Sequence, residues 1–170
     1  MMGLFKRIGI FAKRNDLEIR DTLVALLHYL STRHSTILLD SHSGLLLERD
    51  YLEVEILAQS IDLGIVVGGD GTLLSVGRSL SAHNVPVIGI NRGRLGFLVD
   101  INPQELEQQL GPILAGEIKK KKRTLLKAEA WRGDTLLGYG KALNDVVIHA
   151  RDQVRMIEFT TYIDGRFVNT

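Results

Sequence analysis

The chain contains no cysteine, which excludes disulfide frameworks and thiolate metal sites and fits a reducing compartment. No stretch approaches the roughly 18 consecutive apolar residues of a membrane-spanning helix. No secretory leader is read either, because the apolar stretch Ile8–Ala12 behind Lys6-Arg7 is short and runs into Lys13-Arg14. That stretch reads as a first β-strand, and a cytoplasmic location is expected. Charge of one sign is scarce too. With 21 Lys and Arg against 20 Asp and Glu, the net charge of +1 argues against nucleic-acid binding by bulk electrostatics. What remains is an ordinary globular composition, 45% hydrophobic and 24% charged over 170 residues, sufficient for one domain or one domain and part of another.

Three glycines surround one aspartate in Gly68-Gly69-Asp70-Gly71-Thr72, directly after the apolar run Leu63–Val67. Glycine permits positive φ and lacks the Cβ that would hold a phosphate away. Asp70 is the one ionisable group in that opening. The residues after it carry apolar side chains at helical spacing, so the amides of a helix start would face the site. This pattern suits a nucleotide or phosphate and brings its own acid/base group. It lacks the lysine of a Walker loop, and Leu74 stands where a dinucleotide fingerprint has its third glycine. The alternative is a tight turn in which Asp70 only caps the helix.

Strand and helix patterns alternate up to about residue 116. Arg7–Ala12, Thr36–Asp40, Ile61–Val67 and Val87–Ile90 read as strands, and Leu17–Leu30, Tyr51–Gln59, Leu73–His83 and Glu105–Leu114 as helices. Ser41-His42-Ser43-Gly44 reads as a loop. This order predicts βαβ units on a parallel sheet, with a ligand at the carboxyl ends of the strands. Beyond Gly116 and the basic run Lys119–Arg123, alternating patterns predict antiparallel strands at Leu125–Trp131, Leu136–Tyr139, Val146–His149 and Met156–Ile163. Turns are expected at Arg132–Asp134 and Asp164-Gly165. A boundary near residues 116–122 divides an α/β nucleotide-binding domain, 1–118, from the opening of a β-rich domain, 119–170. About 50 residues of strand bury little surface by themselves, so the sequence reads as cut off within that second domain.

A second glycine-bearing loop, Ile90-Asn91-Arg92-Gly93-Arg94-Leu95-Gly96-Phe97-Leu98, would lie beside the first in a parallel sheet. Arg92 and Arg94 could meet phosphate there and Phe97 could wall a base; the alternative is an ordinary connection with solvated arginines. Asn144-Asp145 can engage sugar hydroxyls bidentately, or can simply form a turn. The lysine run reads as a solvated strand entry. His28, His34, His42, His83 and His149 show no metal-ligand spacing, and no residue is assigned as a metal ligand.

Together, Gly68–Thr72, Gly89–Leu98 and Ala142–Val147, with Arg155–Phe159 and Tyr162–Gly165, resemble the bacterial branch of the NAD kinase family across essentially the whole chain. The first motif is shared with diacylglycerol-type lipid kinases and phosphofructokinases, whereas the ordered set is specific. The resemblance implies a parallel, Rossmann-like (phosphofructokinase-like) α/β domain followed by an antiparallel β-rich NAD-binding domain. It implies transfer of a phosphoryl group from ATP or polyphosphate to the 2′-hydroxyl of NAD's adenosine ribose, assisted by Mg²⁺. Asp70 is then the base, and Gly69, Gly71 and Thr72 join it in binding nucleotide. Phe97 packs at the adenine end, Asn144 and Asp145 hold the nicotinamide side, and Arg155 lies on the nucleotide-binding surface. The family resemblance also implies a homo-oligomer, dimer or tetramer, whose partners are small-molecule nucleotides rather than nucleic acid or membrane. Phosphoryl transfer needs positioning, charge neutralisation and an oriented hydroxyl, so the missing Walker lysine is no obstacle.

NAD kinases continue into an Asp-Gly and a Gly-Ser-Thr-Ala-Tyr-type segment that this sequence ends before. The 170-residue polypeptide alone is therefore expected to be inactive or nearly so. Two other readings compete. A lipid kinase is disfavoured because the second loop does not read Gly-Thr-Gly-Asn-Asp. A non-catalytic nucleotide-binding or oligomerisation fragment is the other.

Overall fold

Strands that are apolar along their whole length, rather than at alternate positions, belong in a parallel sheet covered on both faces. Arg7–Ala12 (β1) and Leu63–Gly68 (β3) are of this kind and are buried almost throughout. The computed structural model, which describes residues 4–14, 16–33, 36–92, 98–99, 101–149 and 158–170, sets them side by side. Thr36–Leu39 (β2) and Val87–Asn91 (β4) complete a parallel sheet in the order β2-β1-β3-β4. The chain therefore winds one way from β1 to β2 and the other way from β3 to β4. The reversal falls between β1 and β3, where a crevice opens at the strands' carboxyl ends.

Helices cover both faces. Arg20–Ser31 (α1) and Leu106–Ala115 (α5) bring Leu23, Leu26, Leu30, Leu106 and Leu110 against Ile8, Ile10, Ile65 and Ile90. On the other face, Val54–Ser60 (α3) and Asp70–Leu80 (α4) bring Leu57, Ala58 and Leu80 against Phe11 and Val66. The parallel α/β arrangement expected from the sequence is thus present. Gly116, at φ 100°, ends α5 in the left-handed conformation that glycine adopts without strain. Among the described residues no helix is long and apolar enough to cross a membrane.

One element departs from the sequence reading. Ser41–Leu47 is a helix (α2), not a loop. Serine, histidine and glycine are poor helix formers, but Asp40 caps the segment, its Oδ1 accepting from Ser43 N–H at 2.8 Å. Asp40 is only 4% exposed, and burial pushes its carboxyl above the ordinary value against the hydrogen bonds from Ser43. Between the ordinary and the raised value the folded chain holds the extra proton, so this group's contribution to stability falls as pH rises through that window. Asp40→Ala is expected to cost about 1 kcal/mol through the lost cap. Asp40→Asn keeps the acceptor without the buried charge. In urea denaturation at neutral pH it should equal or exceed the unsubstituted chain, and a loss matching that of the alanine variant would contradict this account.

Beyond the linker, Leu126–Arg132 (β5) and Thr135–Ala142 (β6) form one antiparallel hairpin, and Thr161–Ile163 (β7) and Arg166–Asn169 (β8) another. Positive φ at Gly133, Asp164 and Gly165 forms the two turns, where the sequence places them. The expected strand at Val146–His149 is not one: Val147 and Ile148 are exposed and the segment has no ladder. Of the expected strand Met156–Ile163 only the last three residues are strand, while 156 and 157 lie outside the described residues.

Candidate functional site

The glycine loop occupies the 3-residue passage from β3 into α4. Gly69 takes the cap position with extended backbone, and the N–H groups of Thr72 and Leu73 donate to its carbonyl at 3.0 and 3.1 Å. Asp70 is the first residue of α4, where a carboxylate meets the positive end of the helix dipole. The cap position is Gly69's, and the Oδ1 atom of Asp70 accepts instead from Leu98 N–H at 3.1 Å, 28 residues away. That bond ties the first loop to the end of the second. The two loops leave adjacent strands, since Gly68 pairs with Asn91 and Arg92 N–H donates to Gly68 O at 3.0 Å.

The glycines are not equivalent. A Cβ at Gly68 would lie 2.7 Å from Thr72 Oγ1 and 3.2 Å from Lys13 Cβ, so this glycine permits close packing. A Cβ at Gly69 or Gly71 would meet no heavy atom within 4 Å among the described residues. Those two keep a surface open to an approaching group.

Two clefts flank α4. One, of about 410 Å³, lies at the β1/β3 reversal, lined by Lys13 and Arg14 after β1, His42 on α2, and Gly71, Thr72 and Ser75 on α4. The Lys13 amide donates to Val67 O at 3.0 Å, and its ammonium pairs with Asp16 at 3.1 Å. His42 Nε2 is buried with no hydrogen-bond partner among the described residues. The other cleft, of about 790 Å³, runs along the opposite flank of α4 past Leu73, Leu74 and Leu98 to Lys121, Arg123 and Asn144. There Leu143 seats against α4 at Gly77, whose added Cβ would fall 3.1 Å from Leu143 Cδ2. The most voluminous cleft, about 870 Å³, lies beside β2 between α1 and the end of α2 and holds none of the residues singled out from the sequence.

Gly69, Asp70, Gly71 and Thr72 therefore share one loop. Asn144 lines the cleft that Leu98 also lines, and its amide donates to Asp145 Oδ1 at 2.7 Å. Phe97, Arg94 and Arg155 lie outside the described residues. Arg92 is not simply solvated, because its guanidinium donates to Glu18 O at 2.8 Å. Sequence reasoning passed over Lys13, Arg14 and His42. The available signal was their position: Lys13-Arg14 end the first strand, at the carboxyl edge where the sheet order reverses. The basic run is exposed as expected, yet its alternate members Lys119, Lys121 and Arg123 line the second cleft.

A family model described as the ATP-NAD kinase N-terminal domain matches residues 8–118. An NAD kinase of Pseudomonas putida is 45% identical over 98% of this chain and 57% of its own length. One of Pseudomonas aeruginosa is 44% identical over 98% of this chain and 58% of its own length. Among solved structures, yeast NADH kinase complexed with NADH matches with a TM-score of 0.79 at 21% identity, covering 96% of this chain and 54% of that one. An NAD kinase from Archaeoglobus fulgidus in complex with ATP matches with a TM-score of 0.70 at 23% identity, covering 96% and 56%. These two likenesses speak to the fold. The chain spans somewhat more than half the length of the curated relatives it matches. By the match over residues 8–118, it belongs to the NAD kinase family.

Proposed function

We propose that the chain carries the phosphoryl-transfer loop of an NAD kinase, moving the γ-phosphoryl group of ATP, or the end group of polyphosphate, to the 2′-hydroxyl of NAD's adenosine ribose. The observation that carries this reading is the carboxylate of Asp70, fixed by Leu98 N–H at the head of α4 between a basic cleft and the cleft that holds Asn144. Donor phosphates enter the first cleft, where Gly69 and Gly71 leave room and Lys13, Arg14 and the amides at the α4 start offset their charge. NAD lies in the second cleft with ribose hydroxyls on Asn144 and Asp145. Asp70 takes the 2′-hydroxyl proton as that oxygen bonds to the γ-phosphorus, and the bond from phosphorus to the bridging oxygen breaks, releasing ADP.

Among the described residues no three acidic or histidine side chains converge as a metal cage. Mg²⁺ needs none, since it commonly binds through substrate phosphates and one or two carboxylates. Asp70 is the carboxylate placed to hold it, and the ion would neutralise phosphate charge. Phe97 at the adenine and Arg155 on the nucleotide surface complete the assignment. So do a catalytic unit over 1–118 with an NAD-binding unit opening at 119, a cytoplasmic setting, and homo-oligomeric assembly.

Two measurements test this reading. With ATP, Mg²⁺ and NAD, the 170-residue chain should form little NADP, whereas its fusion to the rest of the Pseudomonas putida relative should form it readily. Phosphorylation of a diacylglycerol instead of NAD by that fusion would overturn the assignment. The glycines give a second check. Gly71→Ala should leave thermal stability equal or up to about 1 kcal/mol higher through helix propensity, while ATP affinity falls about tenfold. Gly68→Ala should instead lose about 1–3 kcal/mol of stability by overpacking. Equal ATP affinity in the Gly71 variant would remove this loop from donor binding.

A further inference from the structure

The α/β sheet closes its core on itself, with Ile8, Ile10, Phe11 and Ile65 at most 1% exposed. The two hairpins do the opposite. Trp131 and Leu137 are each 55% exposed, Tyr162 61% and Phe167 62%, and every residue of β8 is exposed. Among the described residues each hairpin is a two-stranded ribbon with unpaired outer edges. Such ribbons are marginal in water, and apolar side chains gathered on them mark an interaction surface.

We infer that the hairpins β5–β6 and β7–β8 are a docking face for one kind of partner: the C-terminal part of an NAD kinase, which this chain accepts even as a separate polypeptide. The occupant is identified by length. The Pseudomonas putida relative aligns with 98% of this chain, hairpins included, over 57% of its own length, so 43% of that protein lies outside the match. The family model that ends at residue 118 is an N-terminal domain, which leaves the hairpins on the side of that remainder. Open strand edges offer backbone pairing, and Leu137, Phe167 and Val168 offer the apolar contact. Family membership alone supports this inference; the catalytic roles do not enter it.

The chain is co-expressed with the C-terminal 43% of the Pseudomonas putida relative and examined by size-exclusion chromatography with light scattering and by hydrogen exchange. A one-to-one complex is expected, with amide exchange in β5–β8 slowed at least about tenfold and α1–α5 unchanged. Leu137→Lys with Val168→Lys, both at exposed positions, should weaken the complex about tenfold or more without lowering the melting temperature of the chain alone. If the separate fragment does not fold, the covalent fusion is read instead, and hairpins that exchange there as fast as in the isolated chain overturn the inference. A complex indifferent to the lysine variants also overturns it, as does a stable self-dimer already protecting β5–β8. A complex that forms without making NADP upholds the docking face and counts against the kinase reading.

Discussion

Asp70→Asn in the fusion with the C-terminal remainder is expected to lower kcat for NADP formation by about 10²–10⁴, the usual worth of a general base. Asparagine has nearly the same volume, and its carbonyl oxygen can still accept from Leu98 N–H, so the loop should keep its shape. What it loses is the capacity to take the ribose proton. The KM for ATP should therefore change little, and the melting temperature should stay within a degree or two. A drop of less than about tenfold would mean that another group accepts the proton. A collapse of ATP binding instead would recast Asp70 as a donor-site ligand alone.

The second large effect is on stability. Phe11→Ala is expected to cost about 3–5 kcal/mol, a substantial part of the roughly 5–15 kcal/mol that holds a domain folded. The ring lies where two glycines, paired across β1 and β3, leave the sheet surface bare. Added Cβ atoms on Gly9 and Gly64 would fall 3.2 and 3.3 Å from Phe11 Cε2. Ile61 and Leu80 close over the same two positions, so truncating the ring would leave a void with a backbone floor and no side chain near enough to fill it. Urea denaturation gives the number directly, and a loss under about 1.5 kcal/mol would show that the neighbours collapse into the gap.

Much of this structure was legible in the sequence because the signals were local. Leu63–Gly68 could only be a buried strand, and the glycines after it could only be a loop. Helix α2 was hidden because its residues disfavour helix and its stability comes from the Asp40 cap and from burial of Ser43 and Gly44. The supposed strand at 146–149 failed for the reverse reason: β propensity without a partner strand gives no ladder. In the site, Asp70 was visible from its glycines. Its bond to Leu98 was not, because it joins residues 28 apart through the order of the strands. Nor could periodicity show that Lys13 and Arg14 stand beside Gly71, since only the β1–β3 neighbourhood brings them there.

Helix α4 gives Gly71, Thr72 and Ser75 to one cleft and Leu73, Leu74 and Gly77 to the other, so it is a partition with Asp70 at its head. Two substrates on opposite sides of a partition need not displace each other. Either can arrive first, both must be present before the phosphoryl group moves, and no phosphorylated protein need form on the way. Initial-rate plots against ATP at several NAD concentrations should then intersect rather than run parallel. Isotope should not exchange between ATP and ADP unless NAD is present.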